Sequence, residues 1–186
     1  VCIGGGYNTD DSEIKLISGY IKVDMHSKNG LAVGSFNGNS IIKMIDPCRL
    51  DIFMSGIKAV GVGSFLNSAD ISLESNIDIS CSGAHAIGIG VLEKGKGDIA
   101  VSDSKINIKM RSARHSCIGT YGGDMNVKIS DSDIKIDSEG DEAVGIGDYT
   151  GSGNTILTEA AKGDGGVIAH AQIIIHPNDL GIDLLQ

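Results

Sequence analysis

A short motif recurs along the chain: a small residue, then a β-branched residue, then Gly. The copies are Cys2-Ile3-Gly4, Ala32-Val33-Gly34, Ala59-Val60-Gly61, Ala86-Ile87-Gly88, Cys117-Ile118-Gly119 and Ala143-Val144-Gly145, with a degenerate seventh copy at Val167-Ile168-Ala169. Successive copies lie 24 to 31 residues apart. This variation is too wide for a rigid hexapeptide repeat, and it predicts a solenoid whose corners accept insertions.

Two short segments of alternating apolar and polar residues follow each copy. Examples are Ile71-Ser72-Leu73 with Ile77-Asp78-Ile79, and in the next repeat Ile99-Ala100-Val101 with Ile106-Asn107-Ile108. Strict alternation puts both apolar side chains on one face of a strand. We therefore predict an all-β fold: a single-stranded parallel β-helix of about seven coils, with 24 to 31 residues and three short strands in each coil. The serines between the two segments are predicted to brace the corners: Ser18, Ser75, Ser104 and Ser132.

The amino-acid composition favours strands and limits the kinds of partner that the chain is expected to bind. The 186 residues include 27 Gly, two Pro and no Trp, which favours short strands over helices. The formal net charge of -9 is spread along the chain and argues against a nucleic-acid partner, which needs clustered Lys and Arg. No apolar run approaches the roughly 18 residues of a membrane span, so we expect no membrane insertion.

The ends of the chain carry two further expectations. We assign residues 1–177 to the β-helix repeats and residues 178–186 to a C-terminal non-repeat segment that caps the solenoid. The repeat begins at the very start of the chain, at Val1, so we expect upstream residues to be missing. An uncapped first coil offers unpaired strand backbone, which predicts an end-to-end dimer through that coil.

The corners Ala86-Ile87-Gly88-Ile89-Gly90 and Ala143-Val144-Gly145-Ile146-Gly147 resemble those of right-handed parallel β-helix proteins. More narrowly, they are similar to the Gly-Ile-Gly-repeat β-helix modules of bacterial, often clostridial, surface proteins, some of which bind carbohydrate. The resemblance covers the chain from Cys2 to about Ile175 and implies the fold. It implies a cell-surface location and a carbohydrate ligand only as expectations, because the matching residues are those that build coils.

The wider β-helix group includes pectate lyases and polygalacturonases, whose sites combine paired carboxylates, calcium-binding acids and Arg or His. Asp10-Asp11 is an adjacent acidic pair, but no matching His or Arg context follows it. The sequence therefore identifies no catalytic residue, no metal-ligand set and no cofactor motif. A non-catalytic protein is favoured, and an enzyme stays an alternative.

One large apolar residue follows the first strand of each coil. These residues are Tyr7, Phe36, Phe65, Leu92, Tyr121 and Tyr149, and they include five of the seven aromatic residues. One interpretation is an external stripe of rings on which a glycan lies. The other is a partly buried corner in which the rings stack on one another.

Ionisable residues gather in the corner before the first strand of successive coils. They are His85, then Arg111, Arg114 and His115, then Glu139, Asp141 and Glu142, with His26 at the matching corner of the first coil. We predict that His85, Arg114, His115, Asp141 and Glu142 lie side by side on one rim, where they could hold a metal or an anionic ligand. The alternative is a solvated corner with weak ion pairs.

The four cysteines bear on the redox state of the cellular compartment in which the protein works. No pairing suggests itself, so we expect all four to be free, small and buried, which favours a reducing, cytoplasmic compartment. The resemblance favours the cell surface instead.

The leading functional hypothesis is a non-catalytic module that binds a polysaccharide or protein partner along a flank of the solenoid. The alternatives are a polysaccharide-active lyase or hydrolase with an unrecognised site, and a structural or sensory spacer of a larger protein.

Overall fold

The chain folds as a parallel β-solenoid. The structure is a computed structural model and describes residues 1–6, 11–149, 155–158 and 173–177. Within these residues it contains thirteen β-strands and no helix. Every strand pair is parallel, and each strand pairs with the equivalent segment of an adjacent coil. The predicted fold class is confirmed.

The strands differ in length because some continue round the corners of a coil. In chain order they are β1 (Ile3–Gly5), β2 (Ser12–Leu16), β3 (Gly19–His26), β4 (Asn29–Ser35), β5 (Ser40–Ser64), β6 (Ala69–Val91), β7 (Lys96–Val101), β8 (Lys105–Thr120), β9 (Asp124–Ser130), β10 (Asp133–Glu139), β11 (Glu142–Asp148), β12 (Thr155–Thr158) and β13 (Ile173–Pro177). In β5 and β6 the three strands predicted for a coil are joined into one, since backbone pairing to the neighbouring coil persists at the corners.

Three faces run along the solenoid, and within the described residues each face contains six stacked segments. The first face contains residues 3–5, 29–35, 58–64, 85–91, 114–120 and 142–148. The second contains residues 12–16, 40–45, 69–74, 96–101, 124–130 and 155–158. The third contains residues 19–26, 48–55, 76–83, 105–112, 133–139 and 173–177.

These segments make about five turns, fewer than the seven coils predicted. The seventh copy of the motif, at residues 167–169, and the predicted cap at residues 178–186 lie outside the described residues. Within the described part, β1, β2 and β3 pair with a strand on one side only. The end-to-end dimer through this first coil stays a prediction.

The backbone register corrects the alignment of the repeat. The stacked column is Ile3, Val33, Val62, Ile89, Ile118 and Ile146, so the coils are an even 27 to 30 residues long. The triplets at residues 59–61, 86–88 and 143–145 are therefore two residues out of register in the sequence alignment. The true marker is the glycine after each stacked residue, because these glycines have φ between 119° and 143°. A Cβ at Gly63 would lie 1.8 Å from the carbonyl oxygen of Gly90 in the next coil, so only Gly fits.

Aliphatic ladders fill the interior. All of the alternating-segment residues expected inside are buried: Ile71, Leu73, Ile77, Ile79, Ile99, Val101, Ile106, Ile108, Val127, Ile129, Ile134 and Ile136. The outward-facing Lys128 and Lys135 are exposed, as predicted. Ser72, Asp78 and Asn107 are only half-exposed, because polar side chains of adjacent coils pack beside one another on the outer surface.

Serines brace the corner between the second and third faces. The Ser104 hydroxyl accepts the Ser75 backbone N–H at 3.0 Å, and the Ser132 hydroxyl accepts that of Ser104 at 3.2 Å. The structural role predicted for this column is confirmed for these three residues. Ser18, in the first coil, is exposed.

The four cysteines are free, but they are not all buried. Cys48, Cys81 and Cys117 lie in the core, whereas Cys2 is exposed. The expectation of burial is wrong for Cys2 because, within the described residues, the strand it precedes has a neighbour on one side only. No helix in the described part of the chain has the length and apolar character needed to cross a membrane.

Candidate functional site

The predicted aromatic column forms at the start of the loops that follow the first face. Phe36, Phe65, Leu92 and Tyr149 each donate a backbone N–H to a carbonyl of the preceding coil, at 3.1 to 3.2 Å. Tyr121 occupies the equivalent position in its coil, directly after the paired Thr120. Tyr7 lies outside the described residues.

The rings of this column stack on one another along the solenoid axis. Phe36 and Phe65 are 4.2 Å apart between centroids with planes 14° apart, and Tyr121 and Tyr149 are 4.8 Å apart at 6°. Phe36 and Phe65 are only 5% and 3% exposed. Together with Leu92 they cover the outward-facing Leu31, Val60 and Ile87 and form a second, smaller hydrophobic core.

This geometry favours the stacked corner over the glycan stripe. Rings stacked face to face along the axis turn their edges, not their faces, toward solvent. A polymer lying along the flank would therefore find little flat apolar surface on Phe36 or Phe65. Among the described members of the column, only Tyr121, which is half-buried, and Tyr149, which is 40% exposed, reach solvent.

The predicted rim is divided between the surface and the interior. His85, Arg114 and Glu142 are register partners and lie in line at the corner before the first face. Asp141 precedes Glu142 and is exposed. His115, in contrast, is completely buried. Its predicted place on the rim is wrong, because consecutive residues of β8 point to opposite sides of the strand.

The rim and the aromatic column meet in one surface cluster. The Tyr121 hydroxyl donates to Glu142, and Arg114 Nε lies 3.0 Å from Glu142 Oε2. The His85 ring packs edge-on against Tyr121, with centroids 5.9 Å apart. Burial and the bond to Glu142 raise the pKa of Tyr121 to about 12, while burial and the charge of Arg114 lower the pKa of His85. The cluster satisfies its own charges and fastens the loop to the strand.

His115 braces the corner between the third and first faces from inside. Its Nδ1 lies 2.8 Å from the Ser112 carbonyl oxygen and its Nε2 lies 2.6 Å from the Ser138 hydroxyl. Nδ1 must donate to that carbonyl, so in the neutral ring Nε2 accepts from Ser138. Burial lowers the pKa of His115, and it outweighs the opposing effect of the bond to Ser112. The imidazole is thus a structural group without access to an external ligand.

The third face carries an open groove that sequence reasoning missed. It has a volume of about 450 Å³ and crosses four coils, from Arg49 and Asp51 in β5 to Lys135 and Asp137 in β10. At about 4.8 Å per coil, it follows the axis for roughly 14 Å. The outward side chains of the alternating segments line it, together with the buried Ile79 and Ile108.

A continuous hydrogen-bond network fixes one wall of the groove. Asp51 accepts from the Tyr20 hydroxyl at 2.7 Å and from Arg49 Nε at 3.0 Å. Arg49 also reaches Asp78 at 3.3 Å, and Asp78 accepts from the Asn107 amide at 2.7 Å. Burial alone would raise the pKa of Asp51, but the bonds from Arg49 and Tyr20 outweigh it and leave this pKa lowered. Asp51 is therefore held as a carboxylate.

Two exposed aromatic rings stand at the same end of this face. Tyr20 is 59% exposed and Phe53, which lines the groove, is 44% exposed. The Arg49 guanidinium lies 5.7 Å from the Tyr20 ring centroid, and the Lys22 ammonium lies 5.5 Å from that of Phe53. The sequence did hold a signal for them: they are the two aromatic residues outside the column, and Phe53 occupies an outward position of its strand.

The described residues include no group of three or more His, Cys, Asp or Glu placed to hold a metal ion. In comparisons with protein-family models, curated proteins and solved structures, nothing matched this chain.

Proposed function

We propose that this solenoid is a non-catalytic binding module and that the groove on its third face holds an extended polysaccharide. The observation that carries the proposal is the exposed ring of Phe53 beside the fixed network of Arg49, Asp51, Asp78 and Asn107. A sugar ring has an apolar face that packs on an aromatic side chain. Its hydroxyl groups bond to carboxylates, amides and guanidinium groups.

The repeating geometry of the face suits a polymer. Equivalent positions recur at about 4.8 Å along the axis, so successive units of an extended chain contact successive coils. Several weak contacts held in one rigid line increase the overall affinity through effective concentration. The network also holds its polar groups in place before binding, which lowers the entropy lost on association.

The bonding of Asp51 and Asp137 argues for binding rather than hydrolysis at these two carboxylates. A glycoside hydrolase needs one carboxyl group that keeps its proton near neutral pH. Asp51 has a lowered pKa, and Asp137 is bound through both oxygens by Arg111 Nη2 at 2.8 and 2.7 Å. Both carboxylates therefore serve as fixed acceptors. A plain spacer would not need the exposed Tyr20 and Phe53 beside the groove.

The resemblance of the coils to bacterial surface modules supports a polysaccharide ligand and a cell-surface location. The three buried cysteines do not conflict with that location, because disulfide chemistry requires an accessible thiolate. Cys81 and Cys117 are buried, and burial raises the pKa of each thiol to about 12. Their free state therefore does not require a reducing compartment.

The experiment compares two surface substitutions on a glycan array. Phe53→Ala should weaken the binding of any glycan held by the parent protein about tenfold, because one aromatic contact is lost. Ile41→Ala is the matched control, since Ile41 is 43% exposed but lies on the second face. Thermal unfolding of both variants should stay close to that of the parent. The proposal is wrong if the parent binds no glycan, or if the two variants bind equally well.

A further inference from the structure

The charged side chains that line the groove fall into two groups: those with an ion-pair partner within the protein and those without one. Asp51, Asp78 and Asp137 each accept hydrogen bonds from an arginine. Lys109 and Lys135 also line the groove, both are exposed, and neither makes an ion pair with any described residue. Asp51 and Asp78 thus share Arg49, and Asp137 is paired with Arg111, whereas the two lysines have no carboxylate partner among the described residues.

These lysines lie together at the end of the groove away from the exposed rings. Lys135 is the register partner of Asn107, and Lys109 follows Asn107 by two residues on the same strand. Their Cα atoms are therefore separated by one coil and two residues, roughly 8 Å. Asp137 is the register partner of Lys109, but Arg111 engages both of its oxygens. Flexible lysine stems allow both ammonium groups to reach one ligand group.

We propose that this end of the groove binds an anionic substituent, a carboxylate or a sulfate, on the polysaccharide. The inference rests on the proposed function of the same groove and specifies the class of polymer. The remainder of the chain supports selectivity, because its formal net charge of -9 disfavours polyanions elsewhere on the surface. An anionic polymer should therefore be held at Lys109 and Lys135 and not spread over other faces.

The test uses polymers that share a backbone and differ in the charge and chemistry of their substituents. One series is hydroxyethylcellulose, carboxymethylcellulose and cellulose sulfate, and the other is dextran, carboxymethyl-dextran and dextran sulfate. Affinity electrophoresis or calorimetry gives the Kd of each polymer. We expect the parent protein to bind charged members of at least one series more tightly than the neutral member. Binding of both charged forms identifies charge itself as the feature recognised, and binding of one form identifies the group.

Matched double variants locate the effect. Lys109→Gln with Lys135→Gln should weaken binding of the charged polymer about tenfold and leave the neutral polymer unaffected, because two exposed ionic contacts are lost. The control is Lys43→Gln with Lys128→Gln, which removes two exposed lysines from the second face and changes the net charge equally. This control should bind like the parent protein.

The outcomes separate this inference from the proposed function. If the parent binds neutral and charged polymers equally, or if the two double variants weaken binding equally, the anionic class is wrong. The polysaccharide groove still stands in that case, provided that Phe53→Ala weakens binding. If no polymer of either series binds, the inference fails, and the glycan array decides the proposed function separately.

Discussion

Phe65 and Phe53 are chemically identical side chains whose truncation should have opposite consequences. Phe65 is 3% exposed and stacks on Phe36 in the second hydrophobic core, whereas Phe53 is 44% exposed beside the groove. We expect Phe65→Ala to destabilise the fold without a direct effect on ligand binding. Phe53→Ala should weaken binding and leave the fold nearly intact.

The expected difference in stability follows from burial. Truncation of a buried Phe to Ala costs about 3–5 kcal/mol, including the lost ring pair. We expect about 3 kcal/mol for Phe65→Ala, since loops near the surface can partly collapse into the gap. Phe53 loses partial burial and its contact with Lys22, which at an exposed site is worth about 0.5–1 kcal/mol. Phe53→Ala should therefore cost about 1 kcal/mol.

Urea unfolding followed by far-ultraviolet circular dichroism measures both variants beside the parent. With an unchanged denaturant slope, the shift of the midpoint gives the change in the free energy of unfolding. Equal midpoints for the two variants would refute the assignment of the column to the interior. A larger loss of stability for Phe53→Ala than for Phe65→Ala would mean that the ring on the third face, and not the ring at the loop corner, is the more deeply packed of the two.

Three further predictions test the interior of the fold. Gly63→Ala should lower the free energy of unfolding by about 2 kcal/mol or more, because its φ is +143° and a Cβ would clash with the next coil. Gly6→Ala is the control, since a Cβ there meets nothing within 4 Å. Similar urea midpoints for the two variants would contradict the role of the positive-φ glycines. Burial lowers the folded-state pKa of His115 below the unfolded value of about 6.5. The contribution of the neutral ring to the free energy of unfolding is therefore complete above that pH. It decreases at lower pH, because there the unfolded chain takes up a proton that the folded chain does not. His115→Gln should flatten this fall in urea midpoints between pH 7.5 and 5.5, and His26→Gln, at an exposed residue, should not. Finally, an aromatic disulfide reagent should modify one thiol per native chain, at Cys2, and all four in urea; two fast-reacting native thiols would show that the core thiols are accessible.

The inward and outward faces of the alternating strands could be read from the sequence. Ile106 and Ile108 are buried on either side of the half-exposed Asn107, as their alternation predicts. The reason is that a strand repeats every two residues, so the direction of one side chain fixes that of its neighbours. The recurrence of this alternating pattern in each coil also indicated that the coils stack in parallel.

The register of the coils needed the tertiary structure. Each Gly-x-Gly corner offers two glycines, and local sequence does not say which one adopts positive φ. A Cβ would meet the backbone of the next coil at both glycines of a corner, but in the folded chain it is Gly63 and Gly90, and not Gly61 and Gly88, that adopt positive φ. An error of two residues preserves the alternation of faces, which is why the fold class survived it.

The candidate site also depended on contacts between coils. Arg49, Asp78 and Asn107 are about 29 residues apart in sequence, yet they form one hydrogen-bonded wall because their coils are adjacent. Phe65 begins a loop, where strand periodicity does not apply, so only packing could place its ring inside. The sequence by itself determined which side chains build the coils. The stacking of those coils decided which of the remaining side chains became a groove, because neighbours across coils are set by register and not by proximity along the chain.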